Sequence, residues 1–171
     1  MTDKMDEFQL NEAAVSDNED ILEMLHEIGP GAYGFSNDAH SLTLIEFKRW
    51  IEKQISYSHG IGLEDKLVPQ TTFWLRRNGY PVGLSRIRHR LNEVLLVRGG
   101  NIGFCIRPKE RGKNLAPVLL NKTLVHAKRM GIGKVLLTCD MNNMGSWKTI
   151  EKCGGILENT EDGWRRYWIE L

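Results

Sequence analysis

Arg107-Pro108-Lys109-Glu110-Arg111-Gly112-Lys113-Asn114-Leu115-Ala116 lies between a run of strand character and an amphipathic helix, and its reading decides the rest of the chain. Four cations, Arg107, Lys109, Arg111 and Lys113, surround a single Glu110, and Gly112 sits where the helix should open. The first turn of a helix exposes unpaired N–H groups and the positive end of the aligned peptide dipoles, so it accepts anions. A glycine there lets the main chain approach a phosphate with no Cβ in between. A solvated basic turn uses the same residue types, so the flanking elements have to decide.

Those flanks are a strand and a helix. Asn101 to Arg107 has strand character, and from Ala116 to Arg129 the residues Val118, Leu119, Leu120, Leu124 and Ala127 recur at helical spacing, with Gly131 suited to the cap. Lys134 to Asp140 is a buried strand, and parallel pairing with the strand before the helix would make a βαβ unit. Ligands of such sheets bind beyond the carboxyl ends of parallel strands where the chain splits, which is where Arg107 and Asp140 fall.

Further upstream, Thr71 to Arg77 and Tyr80 to His89 flank the hairpin turn Asn78-Gly79, and a loop through Gly99-Gly100 leads on to Asn101. Phe8 to Leu10 alternates as a short first strand. Ser16-Asp17-Asn18-Glu19 reads as a capping box for a helix with a stripe of Ile21, Leu22, Leu25 and Ile28, stopped by Gly29-Pro30-Gly31. Thr43 to Glu46 is a second capping box, before Leu44, Phe47, Ile51 and Ile55 on one face. Downstream, Ser146 to Lys152 forms a short helix, and Ile156 to Asn159 pairs with Trp164 to Leu171 around Asp162-Gly163.

At 171 residues the chain reads as one domain, 1–171, large enough to bury a core. Its net charge of +1 offers no general field for nucleic acid or an anionic membrane. No apolar run is long enough to span a bilayer, and Met1 to Asp6 is too polar for a signal peptide. Cys105, Cys139 and Cys153 are odd in number and form no Cys-x-x-Cys pair, so the expectation is no metal and reduced thiols in a cytoplasmic protein.

From about Thr71 onward the chain resembles the GNAT superfamily of acyl-CoA-dependent N-acyltransferases. The resemblance rests on Asn101 to Ala116, Val135 to Asp140, Asn143 to Ser146 and Glu151 to Gly154. Arg88-His89-Arg90-Leu91-Asn92, followed by Gly99-Gly100, is similar to a bacterial branch of predicted acetyltransferases. The superfamily loop, Gln/Arg-x-x-Gly-x-Gly/Ala, falls here on Lys109, Gly112 and Asn114, so a side chain stands where glycine or alanine is usual. Many relatives carry a tyrosine general acid at the position of Ile150, and that role does not transfer.

The resemblance implies an α/β (mixed α+β) fold: a central, mostly antiparallel twisted sheet, a parallel splayed pair in its middle and helices on both faces. It implies acetyl-CoA as co-substrate. The pantetheine arm would lie along the strand end at Cys105, Ile106 and Arg107. The pyrophosphate would rest on Arg111, Gly112, Lys113, Asn114, Leu115 and Ala116, with Asn143 and Ser146 adding contacts. Ser146 serves equally as the cap of the short helix.

A neutral amine of a small molecule or peptide would attack the thioester directly, and His89, Glu93 and Asp140 are candidate bases, with Asn92 a candidate for orienting substrate. For each, an ordinary scaffold or surface role competes. A ping-pong route through Cys139 lacks an assignable base. Trp164 and Trp168 share one face of the last strand and suit core or interface packing, and Trp147 either anchors its helix or lines the cofactor site. A non-catalytic acyl-CoA sensor is the alternative function, and a nucleotide module lacks Gly-x-x-x-x-Gly-Lys-Ser/Thr. A homodimer would pair through a C-terminal edge strand.

Overall fold

The computed structural model describes residues 6–171, so the polar stretch opening at Met1 lies outside the described residues apart from Asp6. The element order is β1 (Phe8–Glu12), α1 (Glu19–Ile28), α2 (Leu44–Ser58), β2 (Gln70–Arg77), β3 (Tyr80–Arg88) and α3 (Glu93–Val97). There follow β4 (Ile102–Ile106), a 3₁₀ turn (Pro108–Glu110), α4 (Leu115–Arg129), β5 (Lys134–Asp140), α5 (Met144–Lys152), β6 (Ile156–Glu161) and β7 (Trp164–Glu170). β1-β2-β3-β4 form one antiparallel sheet, and β5-β7-β6 form another. Both hairpin turns hold adjacent positive φ angles: Asn78 at 50° with Gly79 at 83°, and Asp162 at 49° with Gly163 at 80°. These pairs match the right-handed twist of the strands they join. No described helix is long and apolar enough to cross a membrane.

The two sheets meet at the base of β4. The Asn101 N–H donates to the Leu136 carbonyl (2.7 Å), while its Oδ1 accepts from the Leu136 N–H (2.8 Å). On the other side the Asn101 carbonyl accepts from the Arg88 N–H (2.7 Å), and its Nδ2 donates to the Arg88 carbonyl (3.2 Å). One buried side chain thus supplies the hydrogen bonds that a further strand residue would make. Gly100 makes room for the junction: at φ 60° a Cβ would collide with the Leu136 carbonyl oxygen. Past this point β4 and β5 share no ladder, and they splay.

Packing follows the period of two along β2. Phe73 and Leu75 face α4, joining Leu120 and Leu124 or Leu115 and Leu119, whereas Trp74 faces α1 and α2 with Ile21, Leu25, Phe47 and Ile51. Tyr167 and Ile169 of β7 enter the α4 cluster beside Val135 and Leu137, so one core spans both sheets. Each such fully buried side chain contributes about 1.5–3 kcal/mol of apolar transfer.

Several local expectations are corrected. The Thr43–Glu46 capping box is present, but α1 starts at Glu19 behind Asn18, with no side-chain cap. Ser16 instead lies in a turn in which the Asp17 N–H donates to the Ala14 carbonyl (2.9 Å), and the Asp17 Oδ2 accepts from the Ala14 N–H and from Trp74 Nε1 at 2.7 Å. The loop before Gly99 contains α3, capped by Asn92, whose Oδ1 accepts from the Leu95 N–H (2.9 Å). Asn92 is therefore a helix cap, which explains its place without a substrate. α5 begins at Met144, and its cap is Asn143 rather than Ser146. The last strand is central in its sheet, so the free edge belongs to β6.

Arg107 is also corrected. Its guanidinium is 1% exposed and holds Glu27 of α1 in two bonds of 2.8 Å, stacks on Tyr80 (4.5 Å) and reaches the Pro81 carbonyl. The side chain fastens α1 to the β3–β4 end and lines neither cavity described below. Hydrogen bonds from Arg107 and Lys109 hold the Glu27 carboxyl at about 2 against an ordinary 4.5.

Two outcomes follow. Asn101→Ala leaves the Leu136 N–H buried and unpaired and should cost about 2 kcal/mol in urea unfolding; an unchanged midpoint contradicts the clasp. The Glu27 contribution is complete above pH 4.5 and is lost as pH falls through about 2. Glu27→Gln should therefore flatten that acid limb and cost about 2 kcal/mol at neutral pH, since it leaves the buried guanidinium only Glu23, at 3.6 Å, as a charged partner.

Candidate functional site

The splay exposes one edge of β4. The bonds Arg88–Asn101 and Arg107–Val82 set the phase of the β3–β4 ladder, so odd-numbered residues of β4 bond to β3. In an antiparallel ladder the alternate residues turn their N–H and C=O groups to the other side. Those are Ile102, Phe104 and Ile106, and they face the gap toward β5. Cys105 spends its main chain on β3 opposite Leu84, so the free edge is carried by its two neighbours.

A cavity of about 640 Å³ opens at the carboxyl end of the gap. Cys105, Ile106, Arg111, Gly112, Asn114, Leu115, Ala116 and Asn143 line it, bringing together eight of the eleven sequence-chosen cofactor residues. Gly112 has φ 76°, with nothing within 4 Å of a built Cβ, so this turn faces open space. Asn114 adopts the left-handed conformation (φ 58°, ψ 28°) that glycine usually supplies and that asparagine tolerates best among the others. It makes no side-chain cap, because its Oδ1 accepts instead from Lys152 Nζ at 3.0 Å. The opening N–H groups of α4 are left without the usual capping oxygen.

Charge is distributed differently from the sequence expectation. Lys113 pairs with Glu110 (3.1 Å) and Lys109 with Glu27 (2.9 Å), and neither lines the cavity. Arg111 does, folded back so that Nε donates to the Ile106 carbonyl (3.1 Å). The other cations come from α5, where Lys148 and Lys152 stand four residues apart on the cavity side. The available signal for them was their spacing of three and seven residues from Gly145, which lines the same cavity.

A second cavity of about 350 Å³ lies between the first halves of the two strands, with Ile102, Gly103 and Phe104 on one side and Leu137, Thr138 and Cys139 on the other. Ala32, Tyr33, Phe35, Phe104 and Asn143 line both cavities, so the two adjoin. Ser146 and the buried Ile150 face the second one. So does Trp164, which the alternation had assigned to packing; the Arg98 guanidinium stacks 5.1 Å from its ring. Trp147 anchors α5, packed on the core under Arg165 at 4.4 Å. The segment 31–36, which in sequence is only loop after the Gly29-Pro30-Gly31 stop, supplies one wall of both spaces. Its positions are dictated by contacts with β4 and β7, which no local pattern announces.

The three candidate bases stay outside: His89, Glu93 and Asp140 line neither cavity. His89 Nε2 is hydrogen-bonded to Thr71 Oγ1 (2.8 Å), and burial lowers its pKa. Glu93 sits in the first turn of α3. Asp140 Oδ1 accepts from the Asn142 N–H (2.8 Å), closing the turn after β5. Burial pushes the Cys139 thiol up to about 11, which keeps it protonated at neutral pH and removes it as a nucleophile.

This arrangement has counterparts among known proteins. No curated protein sequence matches the chain. Among solved structures, a GNAT-family acetyltransferase from Streptococcus pneumoniae is 19% identical, covering 96% of this chain and 99% of its own, with a TM-score of 0.66. The N-acetyltransferase PseH from Campylobacter jejuni, in complex with acetyl coenzyme A, is 10% identical over 96% and 99%, with a TM-score of 0.65. RimL, a ribosomal alpha-N-protein acetyltransferase in complex with coenzyme A, is 12% identical over 96% and 94%, at 0.71. Such identities speak to the fold. The sequence profile of the acetyltransferase (GNAT) family matches residues 33–155, and the chain belongs to that family.

Proposed function

We propose that the protein transfers an acetyl group from acetyl-CoA to a primary amine of a small molecule or peptide, by direct attack in a ternary complex. The observation that carries this reading is the pair of adjoining cavities in the β4–β5 gap, one beside a basic, uncapped helix start and one beyond Phe104. The residues of the larger cavity fit a coenzyme A. The main-chain N–H groups opening α4, together with Arg111, Lys148 and Lys152, receive the pyrophosphate. The edge of β4 at Phe104 and Ile106, of which the Ile106 carbonyl is already engaged by Arg111, receives the amides of the pantetheine arm as a strand would. Acetyl-CoA supplies an activated acyl carbon when bound.

The remaining work belongs to the chain. A main-chain N–H on the free edge of β4 donates to the acyl oxygen as charge builds there, and the second cavity aligns the amine. His89, Glu93 and Asp140 lie outside both cavities, so the amine loses its proton to water entering the open site rather than to them. A coenzyme sensor accounts equally well for the apolar Ile150 and for a lining that leaves out His89, Glu93 and Asp140 and whose carboxylate, Glu110, is paired with Arg77 and Lys113. Thiol release from acetyl-CoA across a panel of amines decides: binding without turnover under every condition leaves only the sensor.

Gly112→Asp should weaken coenzyme A binding by ~100-fold or more in calorimetry, and its neutral isostere Gly112→Asn by much less, since both add a side chain at φ 76° but only the first adds negative charge at the phosphates. Equal effects of the two would refute the phosphate assignment. For pH, a lowered His89 pKa means that a His89 base would cut activity only below ~6.5. We expect no break there. Log kcat/KM should climb with unit slope toward the pKa of the acceptor amine, near ~10; a plateau from pH 7 that His89→Gln abolishes would restore that residue as the base.

A further inference from the structure

We infer that the second cavity selects an acceptor amine that also carries a carboxylate or phosphate, held by Arg86, Arg88 and Arg98. This rests on the acetyl-transfer reading and narrows its acceptor. The three guanidiniums come from two elements and converge on one space: Arg86 and Arg88 alternate along β3, and Arg98 follows α3. Among the described residues no aspartate or glutamate lines this cavity. Cys139 also lines it, and burial keeps that thiol protonated. The cavity is therefore a site of fixed positive charge.

The arginines are also under-compensated. The Arg86 side chain is only 10% exposed; Nη1 donates to the Ser36 carbonyl (3.1 Å), and Nε has no partner among the described residues. Its one acid is Asp38, 3.7 Å away, largely exposed and outside the lining. Arg88 Nη1 is held by the carbonyls of Gly99 (3.0 Å) and Gly100 (3.2 Å), which fix its direction without neutralising it. Burial and the charge of Arg86 together draw its pKa down to about 10. Arg98 stacks on Trp164 and makes no ion pair among the described residues. Arg86 is buried, Arg88 half-buried and Arg98 exposed at the rim; an anion entering between them would meet the open donors and the excess charge, and guanidiniums match the planar or trigonal oxygens of carboxylate and phosphate. The same charges repel polyamines and aminoglycosides, which need carboxylates around them.

The test follows thiol release from acetyl-CoA by the full chain with paired acceptors. These are α-amino acids against their amides, O-phosphoethanolamine against ethanolamine, and spermidine and kanamycin. We expect one anionic member to exceed its neutral counterpart by at least ~30-fold in kcat/KM; whichever pair shows it tells carboxylate from phosphate. Arg98→Gln should erase at least ~10-fold of that ratio through KM, with coenzyme A affinity unchanged. Equal rates within each pair, or preference for spermidine or kanamycin, overturn the inference and leave acetyl transfer standing. If no amine is acetylated, calorimetry on the coenzyme A-loaded protein decides. N-acetylglycine or N-acetyl-phosphoethanolamine binding ~10-fold tighter than N-acetylglycinamide, with the margin lost in Arg98→Gln, upholds the anion site although transfer has failed. Equal binding ends it.

Discussion

One asparagine holds the two sheets together at the place where they must also come apart. Asn101 uses its backbone and its amide to bond β3 on one side and β5 on the other, with Gly100 clearing the space for the Leu136 carbonyl. A side chain can bridge two strands over one residue but cannot propagate a ladder, so β4 and β5 are joined at the base and free beyond it. The free edge then carries unpaired N–H and C=O groups that the interior cannot leave unsatisfied without cost. An extended ligand running along β4 meets that demand. The site is therefore the part of the sheet that the fold leaves unfinished.

The basic segment that opens α4 divides its charges between scaffold and cavity. Arg107 and Lys109 converge on Glu27, and Lys113 on Glu110, which also binds Arg77 at 3.0 Å. Those pairs pin α1 and the turn in place. Arg111 remains at the cavity, joined by Lys148 and Lys152 from α5. The positive field around the helix start is assembled from two elements about forty residues apart in the chain, joined by the hydrogen bond from Lys152 to the left-handed Asn114. Lys152 takes up the amide of Asn114 that would otherwise cap the helix, which keeps the first N–H groups accessible.

Local signals carried well where one residue type answers a local demand. The Asn78-Gly79 and Asp162-Gly163 turns, the Thr43–Glu46 box, the α4 stripe and the β5 run all stand where periodicity and turn chemistry put them. They failed where a distant partner outbid the local one. Ser16 lost the expected cap of α1 to Asn18 where Asp17 turned back to Ala14 and the Trp74 indole, and Ser146 yielded the α5 cap to Asn143, whose Oδ1 accepts from the Ser146 N–H. Trp164 exchanged packing for the wall of a cavity because Arg98 and the loop at Gly34 close over it.

The sequence by itself determined the element order, the family resemblance and the glycine-bearing helix start, because each rests on short-range periodicity or backbone preference within a few residues. Which cations face the ligand space, which acids neutralise the others, and that no candidate base reaches the gap were decided only by tertiary structure. Charge pairing acts across space over a few ångströms and is indifferent to separation along the chain. Glu27 lies eighty residues before Arg107, and no reading of either segment alone foretells that the two spend each other.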